Sequence, residues 1–413
     1  MRMGMQVQPI LAALRRHKAA TALIVLQVAL TLAVVSNALF VLHTRLAHLA
    51  RPTGTDEANL FVIRNGWLGH DDGARVDARM RADLATLRGL PGVRDAFASE
   101  AYPLQGGGGL PVGIKRDPAQ TTRPRLAISY FADEHALETL GVRLVAGRNF
   151  RAEEIARTGS FDKVAPASII ITRDLAQKLF PDSPALGRTV YLDGPSVIVG
   201  IVDRLQGAYA GSTVRSIDED TVLIPARLAD PDGTVYLVRA HSGQRASAMR
   251  ASVAALLAQD RMRLIDPGEG VLTLTQVRET GYAVDRGVAT AMVVLSVLLL
   301  LATAGGIVGL SSFWVSQRRR QIGMRRALGA TRGDILAYFR TENFLIVGAG
   351  AMLGVALAIG ANLWLMERGE LPRMPPWFAL VGALLLWLLG QIAVLGPARR
   401  AAAVAPVAAI RAD

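Results

Sequence analysis

Four stretches of this 413-residue chain carry no charged side chain: residues 19–42, 287–317, 343–366 and 377–398. Residues 43–286, between the first two, are charged throughout. At 1.5 Å of rise per residue even the shortest stretch makes a helix about 33 Å long, enough to cross a hydrocarbon core of roughly 30 Å. The pattern predicts a membrane protein: four transmembrane α-helices, with one large domain outside the bilayer between helices 1 and 2. The first stretch exceeds the roughly 7 to 15 apolar residues of a cleaved signal peptide and reads as an anchor. The second is longer than a crossing needs, so it tilts or projects beyond the surface. Pro375 and Pro376 suit the start of the fourth, because the first turn of a helix has no use for their missing N–H groups.

Charge sets the orientation. The formal charge of +12 is concentrated as +4 in residues 1–18, +5 in residues 318–342 and +2 in residues 399–413, with +1 in residues 43–286 and none net in residues 367–376. Four crossings put the three basic segments on one side. By the positive-inside tendency that side is the cytoplasm, with both termini there, and residues 43–286 and the loop 367–376 are periplasmic across a cell inner membrane. The basic balance then needs no nucleic acid. Cysteine is absent, so the outer domain has no disulfide framework and relies on an ordinary core.

Within the outer domain the local patterns alternate. Runs rich in Val, Ile, Leu or Tyr at 59–64, 167–172, 197–202, 221–224 and 234–240 predict strands. Helical patterns occupy 77–88, which stops at Gly89, 133–140, which stops at Gly141, 173–179, with Thr172 as cap, and 244–259. The mixture predicts an α+β domain, with an inserted subdomain at about residues 151–225.

Catalytic patterns are missing. A nucleotide-binding P-loop needs Gly-Lys-Ser/Thr, and Lys18, Lys115, Lys163 and Lys178 all lie in other contexts. The glycine run 106–109 therefore reads as a surface turn and not a phosphate cradle. The six histidines show no zinc-type spacing, and His70-Asp71-Asp72 reads as a solvated turn. The chain is read as non-catalytic, with no cofactor or metal of its own.

Two patterns remain in the membrane part. Gly305 and Gly309, and again Gly350 and Gly354, sit four apart in apolar helices, the spacing that lets helix backbones approach closely in lipid, within one subunit or between two. The segment from Gln317 to Leu336 has the grammar of a short helix, a break and a second helix. Gly329 ends the first in a left-handed conformation, and Thr331 with Asp334 forms a capping box for the second, which runs on into the third span. An arginine-rich helix at the cytoplasmic face either binds anionic headgroups, at about 1 kcal/mol per residue, or docks a cytoplasmic partner.

Gln321-Ile-Gly-Met-Arg-Arg-Ala-Leu-Gly-Ala-Thr-Arg-Gly-Asp-Ile-Leu336 resembles the signature of FtsX-like and MacB-like ABC transporter permeases, R-E-I-G-x-x-R-A-x-G-A-x-x-x-x-I. The tail from Pro397 to Arg411 is similar to that family's P-A-x-x-A-x-x-x-x-P-x-x-A-L-R ending. Ile128 to Phe131, Leu140 to Phe150, Ala176 to Phe180, Leu186-Gly187 and Val199 to Val202 resemble the MacB-type periplasmic core. The resemblance implies a mechanotransmitting permease driven by a cytoplasmic ABC ATPase dimer that holds ATP and Mg, for export or efflux from the periplasm. Lipoprotein release or control of cell-wall hydrolases, as in FtsX- and LolC-type complexes, is the alternative. It further implies ATPase coupling through Arg320, Gln321, Ile322, Gly323, Arg325, Arg326, Ala327, Gly329 and Ala330. A second permease copy or related subunit, a periplasmic adaptor, an outer-membrane channel and membrane lipid are the other implied partners. Gln321 replaces the family's glutamate, which leaves no carboxylate there to pair with an ATPase. With 18 residues before the first span, the resemblance points to a split form whose nucleotide-binding domain is a separate chain.

Overall fold

The computed structural model describes residues 18–68, 72–107, 109–159, 165–209, 218–368 and 373–403. The arginines at 2, 15 and 16, His70, Asp71, Gly108 and the tail motif from residue 404 lie outside them. Two compact units result, one from Met1–Leu49 with Arg286–Asp413, the other from Ala50–Asp285.

After α1 (Lys18–Leu49) the chain runs through β1 (Leu60–Trp67), α2 (Gly73–Arg88), β2 (Val93–Ser99), β3 (Pro111–Ile114), β4 (Arg125–Ala132), α3 (Ala136–Leu140) and β5 (Leu144–Gly147). There follow β6 (Ala156–Thr158), β7 (Ser168–Thr172), α4 (Arg173–Leu179), β8 (Thr189–Tyr191), β9 (Pro195–Val202), β10 (Thr221–Leu228), β11 (Thr234–Ala240), α5 (Arg245–Gln259), β12 (Arg263–Leu264), β13 (Val271–Thr273) and α6 (Leu274–Gly281).

The first sheet has the order β12-β1-β11-β2, with β13 also on β1. Alternate residues Phe61, Ile63, Ala96, Ala98, Tyr236 and Val238 turn to one face, where Met80, Leu84 and Leu87 of α2 and Ala248 and Leu256 of α5 complete a core. A fully buried ion pair is set into it. Arg263 donates to both oxygens of Asp83 at 2.7 Å, the Tyr236 hydroxyl donates to Asp83, and Asn65 Oδ1 accepts from Arg263. Only such complete pairing makes two buried charges tolerable.

The second sheet has the order β3-β4-β10-β7-β9-β5, with β6 on β10 and β8 on β9. Lys115, just past β3, exchanges backbone hydrogen bonds of 2.9 and 2.8 Å with Tyr191 of β8. That bridge closes β3-β4-β10-β7-β9-β8 into a ring around Ile114, Phe131, Ile169, Ile171, Ile198 and Val222, with Leu175 and Leu179 of α4 packed against the same core. The ring corrects the inserted subdomain expected at 151–225. Because β10 pairs with β4 over Ile128–Ala132, the strands before residue 151 belong to the same sheet as those after it. Thr172 precedes α4 as expected, but its hydroxyl donates to the Glu219 carbonyl at 2.7 Å and does not cap the helix. Past β5, Arg148 donates two bonds of 2.7 Å to Glu154. Those bonds hold the Glu154 carboxyl at about 2, below its ordinary 4.5, so the turn gains stability above the ordinary value and loses it only as pH falls toward about 2.

The other unit gathers α1, α7 (Ala283–Gln317), α8 (Arg319–Ala327), α9 (Arg332–Glu367) and α10 (Trp377–Ala402). Four of these helices are long and apolar enough to cross a membrane. Each extends past its uncharged stretch, α10 running through Pro397 to Ala402. α1 and α9 run parallel at backbone distance. A Cβ on Gly350 would lie 2.8 Å from the Val28 side chain, and one on Gly354 2.8 Å from Leu32 and 3.0 Å from the Ala29 carbonyl. Gly382 and Gly390 of α10 give the same close approach to Leu32 and Val347. α7 is tied to α1 by the Thr31 and Thr303 hydroxyls, 2.8 Å apart, and by the Gln27 amide donating to the Ala302 carbonyl at 3.2 Å. The most apolar stretch of α7 is 17% buried within the chain against 50% for α1, so most of its surface is left for lipid or another chain. A Cβ on Gly305 or Gly309 would meet nothing within 4 Å.

Gly354→Val is expected to cost about 1–3 kcal/mol by forcing α1 and α9 apart, whereas Gly305→Val should leave the fold unaffected. Thermal unfolding in detergent checks both. Equal midpoints for the two variants would refute the α1–α9 contact.

Candidate functional site

Between α7 and α9 the chain makes a compact reversal whose geometry follows from its sequence. Leu328 ends α8 and Gly329 follows at φ +98°, a conformation that a side chain would resist. The Gly329 N–H donates to the Arg326 carbonyl at 3.1 Å and the Ala330 N–H to that of Arg325 at 3.0 Å, the paired bonds of a Schellman motif. Thr331 then caps α9. Its Oγ1 accepts from the Asp334 N–H at 3.1 Å, and Asp334 Oδ2 accepts from the Thr331 N–H at 2.9 Å. Both ends of the turn are thereby saturated, as the orphan groups of helix termini require.

One side of α8 is anchored. Ile322 is buried with Ile335 and Phe339 of α9 and Ala398, Ala401 and Ala402 of α10, and Gly323 is buried beside it. Arg326, half-buried, donates to the Ala402 carbonyl at the end of α10. Arg325 lies 5.0 Å over the ring of Tyr338. Arg318, just before α8, pairs at 3.0 Å with Glu342, which is 2% exposed, and sits 5.7 Å over Trp314. This pair joins the end of α7 to α9.

The opposite side faces outward. Met324 is 61% and Leu328 84% exposed, next to exposed Arg319, Arg320, Gln321, Ala327 and Gly329, with Ala330 half-covered. The residues named from the sequence thus divide. Ile322, Gly323 and Arg326 hold the helix in place, while Arg320, Gln321, Arg325, Ala327 and Gly329 are presented. Sequence reasoning missed Met324, Leu328 and Glu342. The signal for Glu342 was present: it is the acid that immediately precedes the uncharged stretch from Asn343. Among the described residues no group of His, Cys, Asp and Glu is placed to hold a metal ion.

Residues 293–406 match the family model described as FtsX-like permease C-terminal, and residues 21–256, more than half of the chain, match that of the MacB-like periplasmic core domain. The chain belongs to the MacB- and FtsX-like permease family. The macrolide export ATP-binding/permease protein MacB 1/2 of Paracoccus denitrificans is 26% identical over 368 residues, covering 87% of this chain and 51% of that protein. MacB of Chromobacterium violaceum is 24% identical over 276 residues, 65% of this chain and 41% of that protein. The ABC transporter permease YknZ of Bacillus subtilis, itself uncharacterised, is 25% identical over 59% of this chain and 61% of its own length. The chain therefore spans about half the length or less of the MacB relatives. Among solved structures, the periplasmic region of MacB from Actinobacillus actinomycetemcomitans aligns with a TM-score of 0.34 and 11% identity, over 55% of this chain and 94% of that one. As a MacB- and FtsX-like permease, the chain is membrane-embedded through its four apolar helices.

Glu342→Leu should destabilise this unit by about 3–5 kcal/mol, because it strands the Arg318 charge. Adding Arg318→Met should recover most of that loss. A double-mutant cycle on thermal unfolding measures the coupling, and additive losses would show that the pair does not join α7 to α9.

Proposed function

We propose that this chain is the permease component of an ABC transporter, and that the outward side of α8 is where a cytoplasmic ATPase dimer docks. ATP and Mg belong to that partner. The observation that carries this is the two-sided construction of α8: a saturated, anchored short helix that presents Met324 and Leu328 among arginines. Lipid attraction calls only for charge, at about 1 kcal/mol per arginine. A rigid mount with an apolar tip is what a protein interface uses, where a few well-packed side chains dominate the energy.

Closure of the ATPase would move α8, and the Arg318–Glu342 pair would pass that movement to α7 and α9 together. In this proposal α7 carries the motion to the domain of residues 50–285, which faces the periplasm and acts there in export. Both termini are cytoplasmic and the membrane is the cell inner membrane. The open Gly305 and Gly309 face of α7 is proposed to meet a second permease, a copy or a related subunit. A periplasmic adaptor and an outer-membrane channel are the further partners in this proposal.

Met324→Asp and Leu328→Asp should each weaken ATPase retention at least thirtyfold, the effect of losing a hot-spot residue, while leaving the thermal midpoint of the permease unchanged. Arg326→Asp is the poorer probe, because it also breaks the seat on α10. Co-purification of the full chain with its ATPase measures this, and undiminished retention by both aspartate variants would leave only the lipid role.

The chain has no native cysteine, so Ser242→Cys and Ser316→Cys give clean topology probes. An impermeant maleimide on spheroplasts should label Ser242→Cys alone. Labelling of Ser316→Cys would reverse the proposed orientation.

A further inference from the structure

Where the two sheets of the outer domain meet, β2 lies beside β4 with no backbone ladder between them. Ser99 and Glu100 form one part of the join. Ser99 Oγ is 2.9 Å from the carbonyl oxygen of Phe131, and the Phe131 N–H donates to the Glu100 carboxyl, 3.0 Å from Oε2 and 3.3 Å from Oε1. Ser99 Oγ is also 3.0 Å from Glu100 Oε2. A hydroxyl has one hydrogen, so Ser99 cannot donate to the carbonyl and to a carboxylate at once. Each contact has a hydrogen of its own when Oε2 carries a proton and donates it to Ser99 Oγ, whereas an ionised carboxyl leaves the two acceptors to share one. The serine hydrogen is then free for the Phe131 carbonyl, and the Phe131 N–H has Oε1, 3.3 Å away, as its acceptor.

We propose that Glu100 is a proton-operated clasp between the two sheets, closed while its carboxyl is neutral and one hydrogen bond short once it ionises. The surroundings support this. Glu100 is half-buried and lines a cleft of about 570 Å³ that gives water a route to it. Arg64 of β1 faces that cleft, as do Asp230 and Asp232 from the β10–β11 turn and Asp266 and Glu269 from the β12–β13 turn. From β4, Tyr130 adds no charge, its hydroxyl donating to the Gln206 carbonyl at 3.0 Å. Arg64 lies 4.0 Å from Glu269, so the nearest cation on the cleft is already engaged. Burial pushes the Glu100 carboxyl from its ordinary 4.5 up to about 7. The sign follows. The fold holds a proton that the unfolded chain has released between those two values, so the clasp is intact at the acid end and is lost as pH rises through about 7.

The experiment uses the full chain in lipid nanodiscs and follows hydrogen exchange of the β4 peptide containing Phe131, divided by its intrinsic rate, from pH 5.5 to 8.5. Wild-type protection should fall about five- to tenfold across that range, the worth of one hydrogen bond. Glu100→Gln, whose amide donates to Ser99 at every pH, should keep high and pH-independent protection. Ser99→Ala should give low protection already at pH 5.5. Flat wild-type protection would overturn the clasp. So would a Glu100→Gln variant that retains the wild-type fall, because the titration would then belong to another group, such as the separate Asp133–His135–Asp95 cluster.

Discussion

The membrane unit depends on the backbone approach of α1 to α9 at Gly350 and Gly354. In lipid no hydrophobic force draws helices together, so dispersion between closely fitted surfaces and a few interhelical hydrogen bonds must do so. α1 is separated from α9 by the whole outer domain and α7. Its return to the bundle closes a very long loop, yet the entropy of closure rises only logarithmically with length. Two glycines that admit Val28 and Leu32, and two more in α10, supply the fit. The Thr31–Thr303 and Gln27–Ala302 contacts then bring α7 onto α1 with far less buried surface. The bundle thus has a tight trio, α1, α9 and α10, and one loosely held member.

That difference gives α8 its mechanical meaning. α8 is seated on α9 and α10, which belong to the tight trio, through Ile322 and Arg326. Arg318 and Glu342 meanwhile connect α9 to the last turn of α7. A force on α8 would be resisted by the trio and would reach α7 through the backbone at Arg318, where the buried Arg318–Glu342 pair and Trp314 hold the last turns of α7 to α9.

The long helices were legible because a charge-free run of more than twenty residues has few other solutions. Their ends were less so. α1 runs on to Leu49 and α10 to Ala402 because helix continues wherever caps and backbone allow, whatever the charge. In the outer domain β1, β7, β9, β10 and β11 were visible as apolar runs. β2 was hidden by Arg94 and Asp95 in its first half, and β4 by reading Ile128 to Phe131 only as part of a motif. The closed second sheet could not be read locally, since it rests on pairing between residues 93 positions apart, as between Ile128 of β4 and Thr221 of β10. At the site, the Gly329 stop and the Thr331–Asp334 box were fully legible, because turn chemistry is local. The inward commitment of Arg326 was not, because its acceptor is a carbonyl in another helix. Of the two glycine pairs, Gly350 and Gly354 fit inside the chain, while spacing alone could not tell that Gly305 and Gly309 would face outward.

The Lys115–Tyr191 bridge has an effect beyond closure. An open sheet offers its border strand to any extended segment, and so can be lengthened by a stranger's backbone. Once β3 is joined to β8, that border is gone, and among the described residues the strands left with a free edge on this sheet are the four-residue β5 and the three-residue β6. A companion protein therefore cannot be recruited there by adding a strand of any length. Any partner on this face would have to recognise side chains and loops.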